Sequence, residues 1–347
     1  MSDQSEKSQS KESTFPSWEP EPGISIRSLH GPESIDSFAS IIPFSGNSKW
    51  SILQTFQVDE NELLHLALNQ GLAEIELNLD KGNEEELNEI MAGVNPEMIV
   101  LHLNYRSGPT MVNGFYSFKS FLAKKNIDIQ LVKGSFRCPG IQPFPYLAMD
   151  IAEQLPGFSF YYLETTQRKE QNGYSDQLAS IFRPLLLLLE GGHFDVKTIL
   201  KKTVFRVFVE NDFVADLAKI RSFYRIWNLI TDELELPDID PYLEVSISPS
   251  AFGEDLYFNL IRSSAAALSA ITAGAPRVHI PTKITRQKNA PSDPAAFLSR
   301  MHVNIGHLLE HESHLDKVKD PAAGSYLIEE LTEKLAAEAW AKIRKGL

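Results

Sequence analysis

The segment Val204–Ile230, VFRVFVENDFVADLAKIRSFYRIWNLI, decides the fold class. It opens with a run of β-branched and aromatic residues, which is typical of a buried strand. After Asp212, whose side chain is suited to capping a helix, apolar residues recur at helical spacing; they are Leu217, Ile220, Tyr224, Trp227 and Ile230. A strand followed directly by an amphipathic helix is the βα unit from which parallel sheets are built.

The same unit recurs from Trp50 onward. Eight strands are predicted, each followed by a helical pattern: Ser51–Phe56, Ala73–Leu79, Met98–Tyr105, Ile129–Phe136, Phe158–Thr165, Val204–Val209, Leu243–Ser248 and Arg277–Ile280. In the first unit, Asp59 and Glu62 have the spacing of a capping box. Eight units in roughly 250 residues predict an α/β fold, a closed (β/α)8 TIM-type barrel, with a doubly wound sheet as the alternative.

The whole chain has 347 residues, one cysteine and a net charge of −13. We expect a disordered tail over 1–22, an N-terminal extension over 23–49, and the barrel with its C-terminal turn and helix over 50–347. The tail has no apolar segment typical of a signal peptide, and no run reaches the roughly 20 apolar residues of a membrane span. The negative charge argues against nucleic-acid binding, and the single cysteine favours a cytoplasmic location.

Motifs for nucleotide binding, GxxxxGK[ST] and GxGxxG, do not occur in the sequence. His307, His311 and His314 share one helix face and have a spacing that could bind zinc, but histidines at a helix end also suit the macrodipole. We therefore predict no metal. Cys138 follows the fourth strand and is interpreted as a structural residue in a turn rather than a nucleophile.

Catalytic and binding groups of barrels lie at the carboxyl ends of the strands. The candidates at this end are Asn104, Arg106, Arg137, Gln167, Glu210, Asn211, Ser248 and Lys283, and each could equally anchor a loop. Glu74 and Glu76 alternate with apolar residues on the second strand. We interpret them as members of an internal polar network in preference to general bases.

The segment Asp320–Trp340, DPAAGSYLIEELTEKLAAEAW, closely resembles the DPAGGSYxxExLTxxLxxxAW stretch of the methylmalonyl-CoA mutase family. The helix within Asp212–Ile230 is similar to the family's xFFxEIAKxRAxRxLW helix after the sixth strand. The likeness covers roughly 50–340, with specific motifs in the second half. It implies an adenosylcobalamin-dependent mutase that interconverts methylmalonyl-CoA and succinyl-CoA, in propionate metabolism, by a radical rearrangement inside the barrel.

Three departures from the family pattern concern catalysis. The DxHxxG motif of the cobalamin domain does not occur, so that domain is expected to be absent. Where catalytic chains have a Tyr-His pair in a stretch like GYHMQEAGA, Thr165–Gly173 reads TTQRKEQNG, with Gln167 near the histidine position. Where they have RGxYxxMY, Pro43–Lys49 reads PFSGNSK. The resemblance is therefore to the small subunit, a barrel without an active site that pairs with a catalytic large subunit.

The small-subunit interpretation predicts a heterodimer, possible self-pairing of the isolated chain, and no cofactor on this chain alone. Two alternatives remain open. An active acyl-CoA mutase barrel would use a cobalamin domain on a separate chain. A barrel lyase or aldolase would use its own residues at the barrel mouth, such as Lys283, to form a Schiff base.

Overall fold

The computed structural model describes residues 17–27, 30, 49–167, 172–191, 193–282 and 293–345. A parallel sheet in the order β7-β6-β5-β4-β3-β11-β10-β9-β8 forms its centre. The strands are β3 (Ser51–Phe56), β4 (Glu74–Leu79), β5 (Val100–Tyr105), β6 (Lys133–Arg137), β7 (Phe158–Ser159), β8 (Tyr161–Glu164), β9 (Thr203–Val209), β10 (Tyr242–Ile247) and β11 (Arg277–His279).

The sheet closes on itself because β7 and β8 are two halves of one strand, interrupted at Phe160. β7 pairs with β6, whereas β8 pairs with β9. The nine segments therefore occupy eight barrel positions, which confirms the predicted barrel and excludes the open, doubly wound alternative.

Helices cover the outside of the barrel. They are α1 (Asn61–Asn69), α2 (Glu84–Ile90), α3 (Gly108–Lys124), α4 (Pro145–Gln154), α5 (Tyr174–Glu190), α6 (Val196–Lys201), α7 (Phe213–Glu233), α8 (Leu256–Thr272), α9 (Pro294–His311) and α10 (Tyr326–Lys345). The core lies between strands and helices, as where Phe205 of β9 meets Phe223 and Trp227 of α7 with ring centroids 5.3 and 5.4 Å apart. No helix among the described residues is long and apolar enough to span a bilayer.

Two local predictions were wrong. The capping box at Asp59 does not form, because α1 begins after Glu60, which makes no side-chain cap. The fourth strand was predicted at Ile129–Phe136, but β6 begins at Lys133 and ends at Arg137, and Ile129 and Leu131 are exposed. Pairing with β5 starts at Lys133, opposite Val100, and within β6 the backbone at Gly134 lies so close to β5 that a Cβ atom would be 1.7 Å from the carbonyl oxygen of Leu101.

A hairpin of β1 (Trp18–Glu21) and β2 (Ile24–Ile26) precedes the barrel. It turns at Gly23, whose φ of +87° favours glycine. Ile24 and Ile26 are buried in one cluster with Leu331 and Leu335 of α10. The predicted disordered tail therefore does not extend over 18–22, since burial of these apolar side chains orders the hairpin.

The segment that carries the family likeness forms a buried clasp between α7 and α10. Arg221 of α7 is 1% exposed and donates to both oxygens of Asp320, at 2.5 and 2.6 Å, and to Glu329 at 2.7 Å. The turn before α10 passes through Gly324, whose φ is +78°. The predicted turn and helix are confirmed, and their sequence pattern is explained by this fixed geometry.

Candidate functional site in the barrel interior

Charged side chains fill the middle of the barrel. Residues that point inward alternate along each strand, and this places Glu76 of β4, Arg137 of β6, Arg206 of β9 and Glu244 of β10 in the interior, each at most 6% exposed. Glu74 and Glu76 therefore belong to an internal network, as their spacing predicts.

Ion pairs in this network cross the barrel axis. Arg206 donates to Glu76 at 2.6 Å and to Glu244 at 3.0 Å. Arg137 donates to Glu76 at 2.5 Å, to Glu244 and to Ser135. Because β4 and β9 are the second and sixth of eight barrel positions, they face each other, and a direct contact between Arg206 and Glu76 occupies the space between them.

A second group lies nearer the amino ends of the strands and is centred on Glu74. Its carboxylate accepts hydrogen bonds from Ser51 at 2.5 Å, Tyr242 at 2.9 Å and Arg277 at 2.9 Å, and contacts His102 at 2.9 Å. The Arg277 guanidinium lies 3.7 Å from the centroid of the Tyr242 ring. The two groups meet at His102, which lies 3.8 Å from Glu244.

The surroundings fix the charge of each member. Burial alone would raise the pKa of Glu76 and Glu244, but the Arg206 and Arg137 charges hold both pKa values below the usual range. Burial, together with the Arg206 charge, lowers the pKa of His279 to about 3, and burial with the Arg137 charge lowers that of His102. Among the described residues, these two groups thus contain three ionised glutamates, three arginines (Arg137, Arg206 and Arg277) and two neutral histidines, so the charges within the two groups balance. Burial raises the pKa of the neighbouring Glu164, whose carboxyl group contacts the Tyr162 hydroxyl at 2.9 Å.

Both histidines use both ring nitrogens. His102 contacts Glu74 and Ser135, each at 2.9 Å. His279 contacts Thr55 at 2.9 Å and Ser246 at 2.7 Å. Ligand atoms of Glu74, His102 and Glu244 lie within 4.8 Å of one another, a spacing that a metal ion could use. Arginines already neutralise these carboxylates, however, so an ion would add uncompensated positive charge.

The residues predicted for the barrel mouth do not converge on one point. Arg137 lies inside the network, and Asn104 donates to Asn78 at 2.8 Å. Arg106 is 80% exposed and pairs with Asp80 at 2.8 Å, and Gln167 is exposed. These four residues therefore do not assemble a reactive centre.

Glu210, Asn211 and Ser248 form contacts within the loops that follow β9 and β10. The Glu210 backbone N–H donates to Asp216, Asn211 donates to the Ala251 carbonyl at 2.9 Å, and Ser248 caps a turn at Ser250. Lys283 lies outside the described residues.

The structure also describes Cys138 and the three histidines at and beyond the end of α9. Cys138 is 1% exposed, and burial raises the pKa of its thiol, which disfavours the reactive thiolate. His314 lies beyond the end of α9 with a φ of 53°, so it does not share the helix face of His307 and His311. Glu310 takes its place beside these two residues.

The family match falls on the half of the chain that holds the clasp. Residues 189–345 match the family model described as methylmalonyl-CoA mutase. This region, residues 189–345, belongs to the methylmalonyl-CoA mutase family. A probable methylmalonyl-CoA mutase small subunit of Mycobacterium tuberculosis is 30% identical over 192 residues, which cover 54% of this chain and 30% of that protein.

Two further relatives carry similar names. A methylmalonyl-CoA mutase small subunit of Porphyromonas gingivalis is 28% identical over 244 residues, or 67% of this chain and 37% of that protein. A methylmalonyl-CoA mutase small subunit of Propionibacterium freudenreichii subsp. shermanii is 30% identical over 144 residues, which cover 41% of this chain and 22% of that protein. The matched region therefore spans roughly a third or less of the length of these relatives.

Proposed function

We propose that the chain is the small, non-catalytic subunit of a heterodimeric, adenosylcobalamin-dependent methylmalonyl-CoA mutase. The complex would interconvert methylmalonyl-CoA and succinyl-CoA, in the cytoplasm, as part of propionate metabolism. Support comes from the match of residues 189–345 to the family and from relatives that are named small subunits.

The observation that carries the non-catalytic role is the closed barrel axis. A rearrangement inside the barrel needs room there for the reacting part of a thioester. Arg206 and Glu76 meet across that space, and Arg137 joins Glu76 to Glu244 beside them. Opening the axis would separate buried ion pairs, and leaving one such charge without its partner costs about 3–5 kcal/mol.

We infer that adenosylcobalamin is not held in this interior. His102 and His279, the interior histidines of the described strands, have both ring nitrogens in hydrogen bonds. Gln167, near the position of the family's catalytic histidine, has an amide side chain that cannot act as a general acid or base at neutral pH. The cofactor would accordingly be held by the catalytic large subunit.

A non-catalytic subunit acts through an interface with its partner. Such obligate interfaces commonly bury 2,000 Å² or more, and the chain would stabilise the large subunit and shape its active site. The mixed charge and closed axis of this barrel suit a rigid scaffold, because its interior cannot collapse or open without breaking several ion pairs.

Association tests the proposal most simply. The chain and the catalytic large mutase chain of the same organism would be expressed together and separated by size-exclusion chromatography with light scattering. We expect a one-to-one complex, and each chain run alone serves as the control. A chain that stays separate from the large chain at micromolar concentrations would refute the proposed pairing.

Activity of the complex tests the non-catalytic role. Gln167→Ala removes the amide nearest the catalytic position, and we expect kcat for succinyl-CoA formation to be unchanged. A fall in kcat with the complex intact would show that this barrel takes part in the chemistry.

Trapping of a substrate on Lys283 by borohydride would instead favour the lyase or aldolase alternative.

A further inference from the structure

The last turn of α9 presents three metal-ligand side chains on one side of the helix. His307, Glu310 and His311 each offer one ligand atom, and these atoms lie within 4.8 Å of one another. The two imidazole rings stack nearly parallel, with centroids 5.9 Å apart and an interplanar angle of 10°. Tetrahedral ligands at metal–ligand distances of about 2.0–2.2 Å lie roughly 3.3–3.6 Å apart, so rotation of these side chains would have to bring the ligand atoms closer together.

The helix end itself favours a cation. His311 is the last residue of α9, and the final carbonyl groups of a helix carry partial negative charge. Glu310 adds a full negative charge on the same turn. Lys317 is near enough to interact electrostatically with Glu310, but its ammonium group pairs with Asp316 at 2.6 Å rather than with the Glu310 carboxylate.

One histidine already has the contact that commonly orients a metal ligand. Nε2 of His307 lies 3.3 Å from the carbonyl oxygen of Gln70, at the end of α1. When Nε2–H donates to this carbonyl, Nδ1 presents its lone pair to an ion, and such carbonyl contacts fix the tautomer of metal-binding histidines. The contact also links α9 to the turn at Gly71.

The group borders a cleft rather than a flat surface. A cavity of about 170 Å³ near the amino ends of the barrel strands is lined by Trp50, Gly71, Leu72, His307 and Glu310. Three protein ligands leave a fourth position of a tetrahedral ion open, and water could occupy that position from the cleft.

We propose that His307, Glu310 and His311 form a zinc-type site, which binds one divalent transition-metal ion at the end of α9. This revises the sequence-based prediction of no metal, which considered His314 as the third residue. Two imidazoles and one carboxylate suit Zn²⁺ or Co²⁺ rather than Ca²⁺ or Mg²⁺, which take oxygen ligands. Because all three ligands lie on α9, the bound ion would stabilise the last turns of that helix. The site is independent of the proposed mutase role.

Metal titration of the full chain, without an affinity tag and after dialysis against a chelator, tests the site. Isothermal titration with Zn²⁺ should give one ion per chain, and Co²⁺ should give the visible absorption of a tetrahedral ion. His311→Ala should weaken Zn²⁺ binding by at least about tenfold, because it removes a direct ligand. Glu310→Gln should also weaken it while keeping the size of the side chain.

His314→Ala is the matched control, since it removes a nearby histidine outside the group, and it should bind Zn²⁺ as the wild type does. Thermal melting in excess chelator shows whether each variant folds, and Zn²⁺ should raise the melting temperature of the wild type but not of His311→Ala. Absence of saturable Zn²⁺ binding, or equal binding by His311→Ala and His314→Ala, would overturn the proposal.

Discussion

Replacing Arg137 with methionine would leave two buried carboxylates to share one arginine in the middle of the barrel. Methionine keeps much of the length and apolar volume of arginine but removes its charge and its donors. In the wild type, Arg137 donates to Glu76 at 2.5 Å, to Ser135 at 2.7 Å and to Glu244. After the change only Arg206 would remain between the two glutamates.

We expect the Arg137→Met variant to lose about 3–5 kcal/mol of unfolding free energy at pH 7, which is the usual cost of leaving a buried charge without its partner. Arg137 and Glu244 are both 0% exposed, so water cannot screen the loss. A typical domain has a total unfolding free energy of about 5–15 kcal/mol. The variant should therefore fold, but it should unfold at a much lower urea concentration than the wild type.

The unfolding free energy that Arg137→Met loses should depend on pH. In the wild type the arginines hold the pKa values of Glu76 and Glu244 below the usual range, so their ionised pairing stabilises the fold above the ordinary glutamate pKa and is lost at lower pH. Without Arg137, burial raises these pKa values and one carboxyl group takes up a proton as the pH falls. The stability difference between wild type and variant should therefore narrow from pH 7 to pH 5.

Urea unfolding followed by circular dichroism measures these free energies. The double variant Arg137→Met with Glu244→Gln restores the charge balance, and it should be more stable than the single variant by about 1–3 kcal/mol. Arg106→Met is the matched control, because Arg106 is 80% exposed and its pair with Asp80 should contribute less than about 1 kcal/mol. Equal small losses for Arg137→Met and Arg106→Met would refute the buried network.

Three further changes test the packing around the barrel. Arg221→Met should lower the unfolding free energy measured in urea by about 2–3 kcal/mol, because Asp320 and Glu329 lose their partner. The control Arg225→Met, whose pair with Glu333 is exposed, should lower it by less than about 1 kcal/mol. Similar losses in the two variants would contradict the clasp. Glu21→Ala should cost about 1–2 kcal/mol by removing the buried carboxylate that accepts from the Ser175 N–H at the start of α5, and the exposed Glu19→Ala should change little. Gly134→Ala should lose at least about 3 kcal/mol or fail to express as soluble protein, because its Cβ would overlap the Leu101 carbonyl, whereas a soluble variant with wild-type melting would show that β5 and β6 are not this close.

The order of strands and helices could be predicted from the sequence because each βα unit has its own periodicity. β9 and α7 have nearly the bounds that Val204–Ile230 predicts. The hairpin Trp18–Ile26 could not be predicted, because its burial depends on α10, more than 300 residues later in the chain. The interruption of the fifth strand at Phe160 likewise depends on pairing with two different neighbours.

The interior network was predicted only in part. Glu74 and Glu76 were assigned to it from their alternation with apolar residues, but Arg206 and Glu244 were not. Each of these two is a charged residue within an apolar strand, and that was the available signal. Arg137 was placed at the mouth because the fourth strand was predicted to end one residue earlier, at Phe136.

We propose that the closed barrel does not catalyse the mutase reaction. The most direct measurement is succinyl-CoA formation from methylmalonyl-CoA by the isolated chain, supplied with adenosylcobalamin and a separate cobalamin-binding domain. We predict no turnover above that of the cobalamin-binding domain alone, and turnover when the catalytic large subunit is added. Turnover by the isolated chain that is lost in a folded Arg137→Met and Glu244→Gln double variant would contradict the claim, because it would place chemistry in the interior that the ion pairs fill.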